Sequence, residues 1–317
     1  MKPPYDITPK ILKLITSISL KLGEVNANFL IKQSPQLRKQ NRIKTIHSSL
    51  QIEGNTLTEE QITALIENKR VVGPEKDVVE VLNAIKLYEN IKVYNYYSDK
   101  SFLKAHLELM KGLIESPGKF RNKSVGIVKG NKVEHVAPPH ENLAFLMKDL
   151  FEYLKNDDEL TLIKSCVFHY EMEFIHPFFD GNGRMGRLWQ TLILMSEYPI
   201  FEFLPFETLI SKTQNEYYNS LSLSDKSGKS TFFIEYMLNV INKSLENLLN
   251  YNNRVLKDVD RLDYFVNLRI IEFTRKEYMN TFKDIASATA SRDLRKGIEL
   301  GLFKSTGTLN KTKYTLL

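Results

Sequence analysis

Two apolar helical patterns flank the string His176-Pro177-Phe178-Phe179-Asp180-Gly181-Asn182-Gly183-Arg184-Met185-Gly186-Arg187, and this interruption constrains the fold more than any other part of the chain. Upstream, Cys166, Val167, Tyr170, Phe174 and Ile175 recur on one face at helical spacing. Pro177 disfavours helix at the residue before it, so the first helix should end by delivering His176 into a loop. Downstream, Leu188, Thr191, Leu192 and Met195 repeat at intervals of three and four, which predicts a second helix starting near Gly183 or Arg184.

The residues inside the break suit a phosphate ligand. Asp180 to Gly183 lead into a helix N-terminus, where free N–H groups and the positive dipole end attract anions. Gly181 and Gly183 allow positive φ and close approach of the main chain. Arg184 and Arg187 stand in the first helical turn, where positive charge is disfavoured by roughly 0.3–1 kcal/mol each, so something negative should compensate them. Their guanidinium forks fit a polyphosphate. Asp180 can hold a Mg²⁺ that bridges phosphate oxygens, and His176 can take a proton from a hydroxyl near neutral pH. Gly181-x-Gly183-x-x-Gly186 also satisfies a dinucleotide-binding fingerprint, but it follows a helical pattern rather than a strand. A calcium loop would need further acids at alternate positions.

His176 to Arg187 resemble the HPFx(D/E)GNGRxxR signature of the Fic (Fido-fold) family at every specified position. The resemblance implies a mainly α fold with a helical core, and transfer of AMP from Mg·ATP to a Ser, Thr or Tyr hydroxyl of a target protein, the protein itself included among the candidates. By position it makes His176 the general base and Asp180 the magnesium ligand. Gly181, Asn182 and Gly183 become the anion hole, and Arg184 and Arg187 hold the distal phosphates. Relatives with altered motifs transfer other phosphate-containing groups; the intact GNGR favours ATP.

A second segment points to regulation. Leu37, Ile43, Ile46 and Leu50 keep helical spacing up to Glu53, Gly54 is placed as the residue after a helix C-cap, and Thr58 with Gln61 offers a capping box to the next helix. A carboxylate at the negative end of one helix and two arginines at the positive end of another are misfits that can cancel. Ser49, four residues before Glu53, shares its face. Ser49, Glu53 and Gly54 resemble the (S/T)xxxE(G/N) inhibitory motif of Fic proteins, in a class II-like arrangement where the Glu pairs with the second signature arginine, here Arg187, and displaces the γ-phosphate.

From Phe120 to Val136 the helical period breaks, with Val125, Ile127, Val133 and Val136 around the turn signal Lys129-Gly130-Asn131, and Pro138-Pro139 closes the segment. This predicts a β-hairpin. Its place resembles the Fic flap, in which Val125, Gly126, Ile127 and Val128 would offer main-chain hydrogen bonds to an extended target segment. Tyr217-Tyr218 resembles the family's paired tyrosines and makes Tyr217 a candidate for the adenine pocket. Asp225 stands where relatives often place an Asn.

The 317 residues carry a net charge of +6 and 42% hydrophobic residues, enough for a sizeable core. The single cysteine, Cys166, excludes an internal disulfide and is expected to pack, which fits a reducing cytoplasm. No apolar run resembles a signal sequence or membrane span, so a soluble protein is expected. Three parts are expected: a helical region over 1–97 carrying Glu53, a catalytic core over 98–250, and a module over 251–317. Thr58–Asn68, Asp77–Tyr96, Leu143–Lys155 and Phe232–Leu249 keep amphipathic helical spacing.

The last part holds 13 Lys and Arg against 8 Asp and Glu, most of the chain's excess charge. Phe282-Lys283-Asp284-Ile285-Ala286 and the stretch Ser287 to Arg295 read as helix, turn and helix. The strands around Leu302-Phe303-Lys304 and Lys313-Tyr314-Thr315-Leu316 would flank a polar turn. The pattern resembles a winged helix-turn-helix, with Ser291, Arg292, Arg295 and Lys296 on or near a recognition helix. DNA binding and protein docking both stay open as its use, as does a homodimer. A DNA-binding or docking regulator that uses the core as a nucleotide sensor is the competing function, though a sensor would not need His176. Removal of AMP, with Glu53 activating a water, is a further alternative.

Overall fold

The computed structural model describes residues 2–29, 35–129, 132–156, 158–253, 258–282, 285–307 and 312–317. They fall into two units, residues 1–249 and 250–317. The first unit opens with α1 (Pro9–Phe29), α2 (Pro35–Ile52), α3 (Glu59–Ile66), α4 (Glu75–Glu89) and α5 (Asp99–Leu109). A hairpin of β1 (Gly126–Lys129) and β2 (Lys132–Val136) follows, then α6 (Leu143–Asn156), α7 (Thr161–Ile175), α8 (Asn182–Glu197), α9 (Glu207–Lys212), α10 (Gln214–Ser227) and α11 (Thr231–Asn253).

Local chemistry sets several of these boundaries. The expected capping box opens α3: the Gln61 N–H donates to Thr58 Oγ1 at 3.3 Å, and the Thr58 N–H to Gln61 Oε1 at 2.9 Å. At the end of α2, Gly54 takes φ +92°. The Asn55 N–H reaches back to the Leu50 carbonyl at 3.1 Å and the Gly54 N–H to that of Gln51 at 3.0 Å, which is the Schellman pattern. Glu53 is thereby fixed as the capping residue, just past the helix. The helix read from Asp77 to Tyr96 is shorter than its apolar spacing suggested. It stops at Glu89, and Ile91–Val93 form a 3₁₀ turn. Buried Ile91 and Tyr94 continue the apolar pattern, because a spacing of three serves a tight turn as well as a helix.

One hydrophobic core runs through the first unit from Ile11 to Leu249. Trp189 of α8 is fully buried there, edge-on to Phe102 with ring centroids 4.9 Å apart, and its indole N–H donates to the Tyr96 carbonyl at 3.0 Å. Ile43, Ile46, Leu50 and Ile52 of α2 belong to the same core. The segment that carries Glu53 is therefore packed from within. Polar contacts tie it further to α9 and α10: Ser48 Oγ and Thr208 Oγ1 lie 3.1 Å apart, Ser211 donates to Gln51 at 2.8 Å, and Gln214 to the Ile52 carbonyl at 2.8 Å.

The expected hairpin is present. Its strands are antiparallel, pairing Gly126 with Val136 and Lys129 with Lys132, and the register shifts between Ile127 and Val128. Val125 stands just before β1, while Gly130 and Asn131 of the expected turn lie outside the described residues.

The second unit contains α12 (Asp258–Asn267), β3 (Glu272–Thr274), α13 (Arg275–Thr281), α14 (Ser287–Glu299), β4 (Phe303–Thr306) and β5 (Lys313–Leu316). Its three strands are antiparallel in the order β3-β5-β4. Leu262, Phe265, Phe273, Tyr278, Phe282, Ala290, Leu294 and Phe303 form a separate core. The helix before α14 begins seven residues earlier than the expected start at Phe282. A capping box between Thr274 and Glu277 starts it at Arg275, and Phe282 is its C-cap, with Lys283 and Asp284 outside the described residues. β3 was not read from sequence, since three residues with one buried side chain give no alternation. On α14, Arg292 and Arg295 are exposed. Among the described residues no helix is long and apolar enough to cross a membrane.

Candidate active site

α7 ends where Pro177 requires. Its C-cap, His176, adopts the left-handed conformation at φ 49°, ψ 59°, which costs roughly 1–2 kcal/mol for a residue with a Cβ. His176 Nδ1 faces the Glu173 carbonyl at 3.3 Å. The tautomer that donates there carries its lone pair on Nε2, the nitrogen suited to accept a proton.

The turn that follows is braced from inside. Phe178 is fully buried; its N–H donates to Asn182 Oδ1 and its carbonyl accepts from Asn182 Nδ2, both at 2.9 Å. The ring of Phe178 stacks on His106, with centroids 3.5 Å apart and planes 4° from parallel. His106 Nδ1 accepts the Gly118 N–H at 2.8 Å, so its Nε2 carries the proton toward the Asp180 carbonyl, 3.0 Å away. Burial pushes the His106 pKa down to about 4, which keeps the ring neutral in this role. Gly181, at φ +87°, caps α8 without a side-chain hydrogen bond, and a Cβ there would stand 2.8 Å from Met110 Sδ. With glycine as its N-cap, α8 has no capping side chain from that residue to take its first N–H groups, as a helix-terminal anion site requires.

Both signature arginines point into carboxylates. Arg184 is 5% exposed and bonds through Nη1 to Glu80 of α4 and through Nη2 to Asp180. Asp180 also accepts the Gly181 N–H at 2.6 Å, and its side chain keeps 41% of its accessibility. Arg187 is fully buried; its Nε donates to Ser49 Oγ at 3.0 Å and its Nη2 to the Ser49 carbonyl at 2.9 Å and Glu53 Oε1 at 2.7 Å. Burial alone would disfavour its charge, yet Glu53, with Tyr217 and Glu173, holds its pKa above the ordinary value.

Gly183 marks the centre of the arrangement. A Cβ at this position would lie 2.5 Å from Glu53 Oε1, 3.1 Å from Arg187 Nη1 and 3.3 Å from Glu173 Oε1. The Glu53 carboxylate therefore lies against the first turn of α8. Of the residues singled out in the sequence, His176, Asp180 to Arg184, Arg187, Ser49 and Glu53 are brought together. Gly54 supplies the turn that ends α2.

Tyr217 is 1% exposed; its hydroxyl donates to Glu173 Oε1 at 3.1 Å and lies 3.0 Å from His169 Nε2. Tyr218 beside it is 39% exposed. Asp225 accepts the Tyr170 hydroxyl at 2.9 Å. Sequence reading missed Glu80, Asn55, Glu173 and His106. Asn55, the residue after Gly54, donates to Glu80 Oε2 at 2.7 Å, so the turn after α2 meets Glu53–Arg187 on one side and Glu80–Arg184 on the other. One signal was readable: Glu80 lies on the same face of its helix as Ala84 and Leu87, both buried, where an unpaired acid would be costly.

Among the described residues no three His, Cys, Asp or Glu gather to hold a metal. Asp180 as a lone carboxylate fits Mg²⁺, which keeps its waters and binds through one or two carboxylates plus phosphates.

Comparisons with known proteins address the family of the chain. Residues 96–194 match the Fic/DOC family. Proteins named protein adenylyltransferase Fic are similar: that of Drosophila yakuba is 29% identical over 222 residues, and that of Drosophila erecta 30% over 227. Each match covers 66% of this chain and 42% of the relative, so the chain spans less than half the length of these proteins. A crystal structure of a Fic family protein from Desulfovibrio desulfuricans G20 superposes with a TM-score of 0.78 at 38% identity, over 100% of this chain and 98% of that one. A signature turn between two buried helices, matched along the full length by a solved relative, establishes that this chain belongs to the Fic/DOC family.

Proposed function

We propose that this chain is a protein adenylyltransferase that moves AMP from Mg·ATP to a Ser, Thr or Tyr hydroxyl of a target protein and is held back by Glu53 on Arg187. The observation that carries the reading is the buried Arg187, bonded to Ser49 and Glu53 beside Gly183 at an α8 N-terminus that no side chain caps. A guanidinium placed there answers to an anion, and here a carboxylate stands in for it.

In the reaction, His176 Nε2 accepts the hydroxyl proton as the target oxygen attacks the α-phosphorus. A new phosphorus–oxygen bond forms, the bond to the bridging oxygen breaks, and pyrophosphate leaves with its electron pair. Such general-base help is worth about 10²–10⁴-fold. The N–H groups of Asn182 and Gly183 offset charge on the transferred phosphate, joined by that of Gly181 once Asp180 releases it, while Arg184 and Arg187 hold the distal phosphates. Asp180 would hold Mg²⁺, which when bound neutralises phosphate charge. Val125, Gly126, Ile127 and Val128 are the residues on which an extended target would dock, adding a strand to the hairpin edge. Tyr217 remains a candidate for the adenine side, acting from within the core.

The basic second unit, with three strands beside a helix pair and with Arg292 and Arg295 exposed on α14, supports a winged-helix reading that serves docking or DNA contact. The buried single cysteine, its thiol pushed up to about 12 by burial, accords with a packing role in a reducing cytoplasm.

The test is incubation of purified protein with Mg²⁺ and α-labelled ATP in a cell lysate. Weak labelling by the parent protein, strong labelling after Glu53→Gly and none after Glu53→Gly with His176→Ala is expected. No label from the Glu53→Gly protein would overturn the reading. Removal of AMP is a second reading favoured by the Glu53 side chain, which keeps 27% of its accessibility and could activate a water. It predicts release of AMP from prelabelled protein by the parent but not by Glu53→Gly.

A further inference from the structure

Arg121 carries a buried charge that the chemistry above does not use. It is 2% exposed, in the segment between α5 and the hairpin. Its own N–H donates to the Pro177 carbonyl at 2.8 Å. From the guanidinium, Nε donates to the His176 carbonyl at 2.8 Å and Nη1 to that of Lys123 at 2.9 Å. Nη2 donates to the Pro138 carbonyl at 2.6 Å and to that of Ile175 at 3.3 Å. Among the described residues, every hydrogen bond of this guanidinium goes to a main-chain carbonyl.

The four acceptors fall in two groups. Ile175 and His176 are the last carbonyls of α7, which lack helical partners and carry the negative end of the dipole. Lys123 and Pro138 are the feet of the hairpin, one before β1 and the other after β2. A single side chain therefore ties both ends of the hairpin to the main chain of the histidine. His176 is held at positive φ, a conformation that a residue with a side chain keeps only when its surroundings impose it.

We propose that Arg121 is a positioning residue that couples the hairpin to His176, setting the distance between the strand edge where a target segment docks and the imidazole that takes its proton. The inference rests on the adenylyl-transfer reading and goes beyond it by assigning the link between target docking and the base. The planar fork explains the residue type. Five donors in fixed directions can reach carbonyls on two sides at once, whereas a lysine offers three donors from one point.

The experiment uses the full chain carrying Glu53→Gly, with Arg121→Lys and, separately, Arg121→Met. Transfer from α-labelled ATP to lysate proteins, ATP affinity by calorimetry, and hydrogen exchange by peptide are measured together. Transfer should fall by about tenfold or more, the effect of losing one or two charge-assisted hydrogen bonds. ATP affinity should stay within twofold, and exchange should rise together in the hairpin (residues 122–138) and in the turn at 175–180, with α8 unchanged. Parental transfer and exchange in Arg121→Lys would overturn the proposal. So would a rise of exchange throughout the first unit, which would make Arg121 a general support of the fold; if Arg121→Met does not fold, Arg121→Lys decides. Absence of transfer in the Glu53→Gly parent would sink the adenylyl-transfer reading instead, and the exchange pattern would still decide whether Arg121 couples hairpin and turn.

Discussion

Replacing Glu53 by Gln isolates the charge of the Glu53–Arg187 contact from its shape. The amide has nearly the same volume and keeps an oxygen that can accept from Arg187 Nη2, now 2.7 Å from the carboxylate. Ser49 supplies the other two bonds to this guanidinium and is untouched. Arg187 stays charged, so its bond to the amide remains charge-assisted, and the substitution removes only the Coulomb attraction of the ion pair, about 1 kcal/mol where such a pair is partly open to water. The pair is only half shielded, since Arg187 is fully buried while the Glu53 side chain keeps 27% of its accessibility, so a loss of about 1 kcal/mol is expected. The same change acts with opposite sign on ligand-free stability and on anion binding. Without nucleotide, the melting temperature should drop by about 2–4 °C per kcal/mol lost. With Mg·ATP, binding should tighten by about 5-fold, because the competitor for Arg187 is weakened by that amount. Isothermal calorimetry and thermal melts with and without nucleotide measure both. If ATP affinity stays within twofold of the parent and the melt does not move, Glu53 does not compete with an anion for Arg187, and the regulatory reading fails.

Two further outcomes test the scaffold. Gly54→Ala adds a Cβ with nothing within 4 Å of it, yet φ of +92° strains any side-chain-bearing residue; it should cost about 1–2 kcal/mol in denaturant titrations, and an unchanged midpoint would refute the Schellman assignment. Glu207 is fully buried with both carboxyl oxygens lacking a hydrogen-bond partner among the described residues, and burial pushes its pKa from 4.5 up to about 8. The folded state therefore holds this proton more tightly than the unfolded chain, so its stabilising share is full below about pH 4.5 and lost as pH rises through about 8. Glu207→Gln should melt higher than the parent by a margin that grows between pH 5 and pH 8, and a constant margin would contradict the burial argument.

What the sequence disclosed and what it hid divide along physical lines. The break at His176, the helix after it, the glycine that ends α2, the capping box at Thr58 and the hairpin were all legible, because each is set by residues within a few positions of one another. The Glu53–Arg187 pairing spans a long separation in the chain, and it came from the resemblance and from two charges placed at the wrong helix ends. Nothing local announces that Glu80 meets Arg184, that His106 carries the Asp180 carbonyl, or that Arg121 gathers four carbonyls. Those contacts depend on how helices far apart in sequence cross. The end of α4 was misjudged because a 3₁₀ turn continued its apolar spacing, and β3 was missed because three residues show no period.

The place of α2 inside the first unit's core limits how the Glu53–Arg187 contact could be opened. A segment that contributes Ile43, Ile46, Leu50 and Ile52 to the common interior cannot be clipped off like a propeptide. Trimming the chain up to residue 55 would remove those four side chains along with the acidic tip and bare the apolar surface they cover. The acidic tip itself stands just past the helix, where one side chain can swing aside while the helix stays seated.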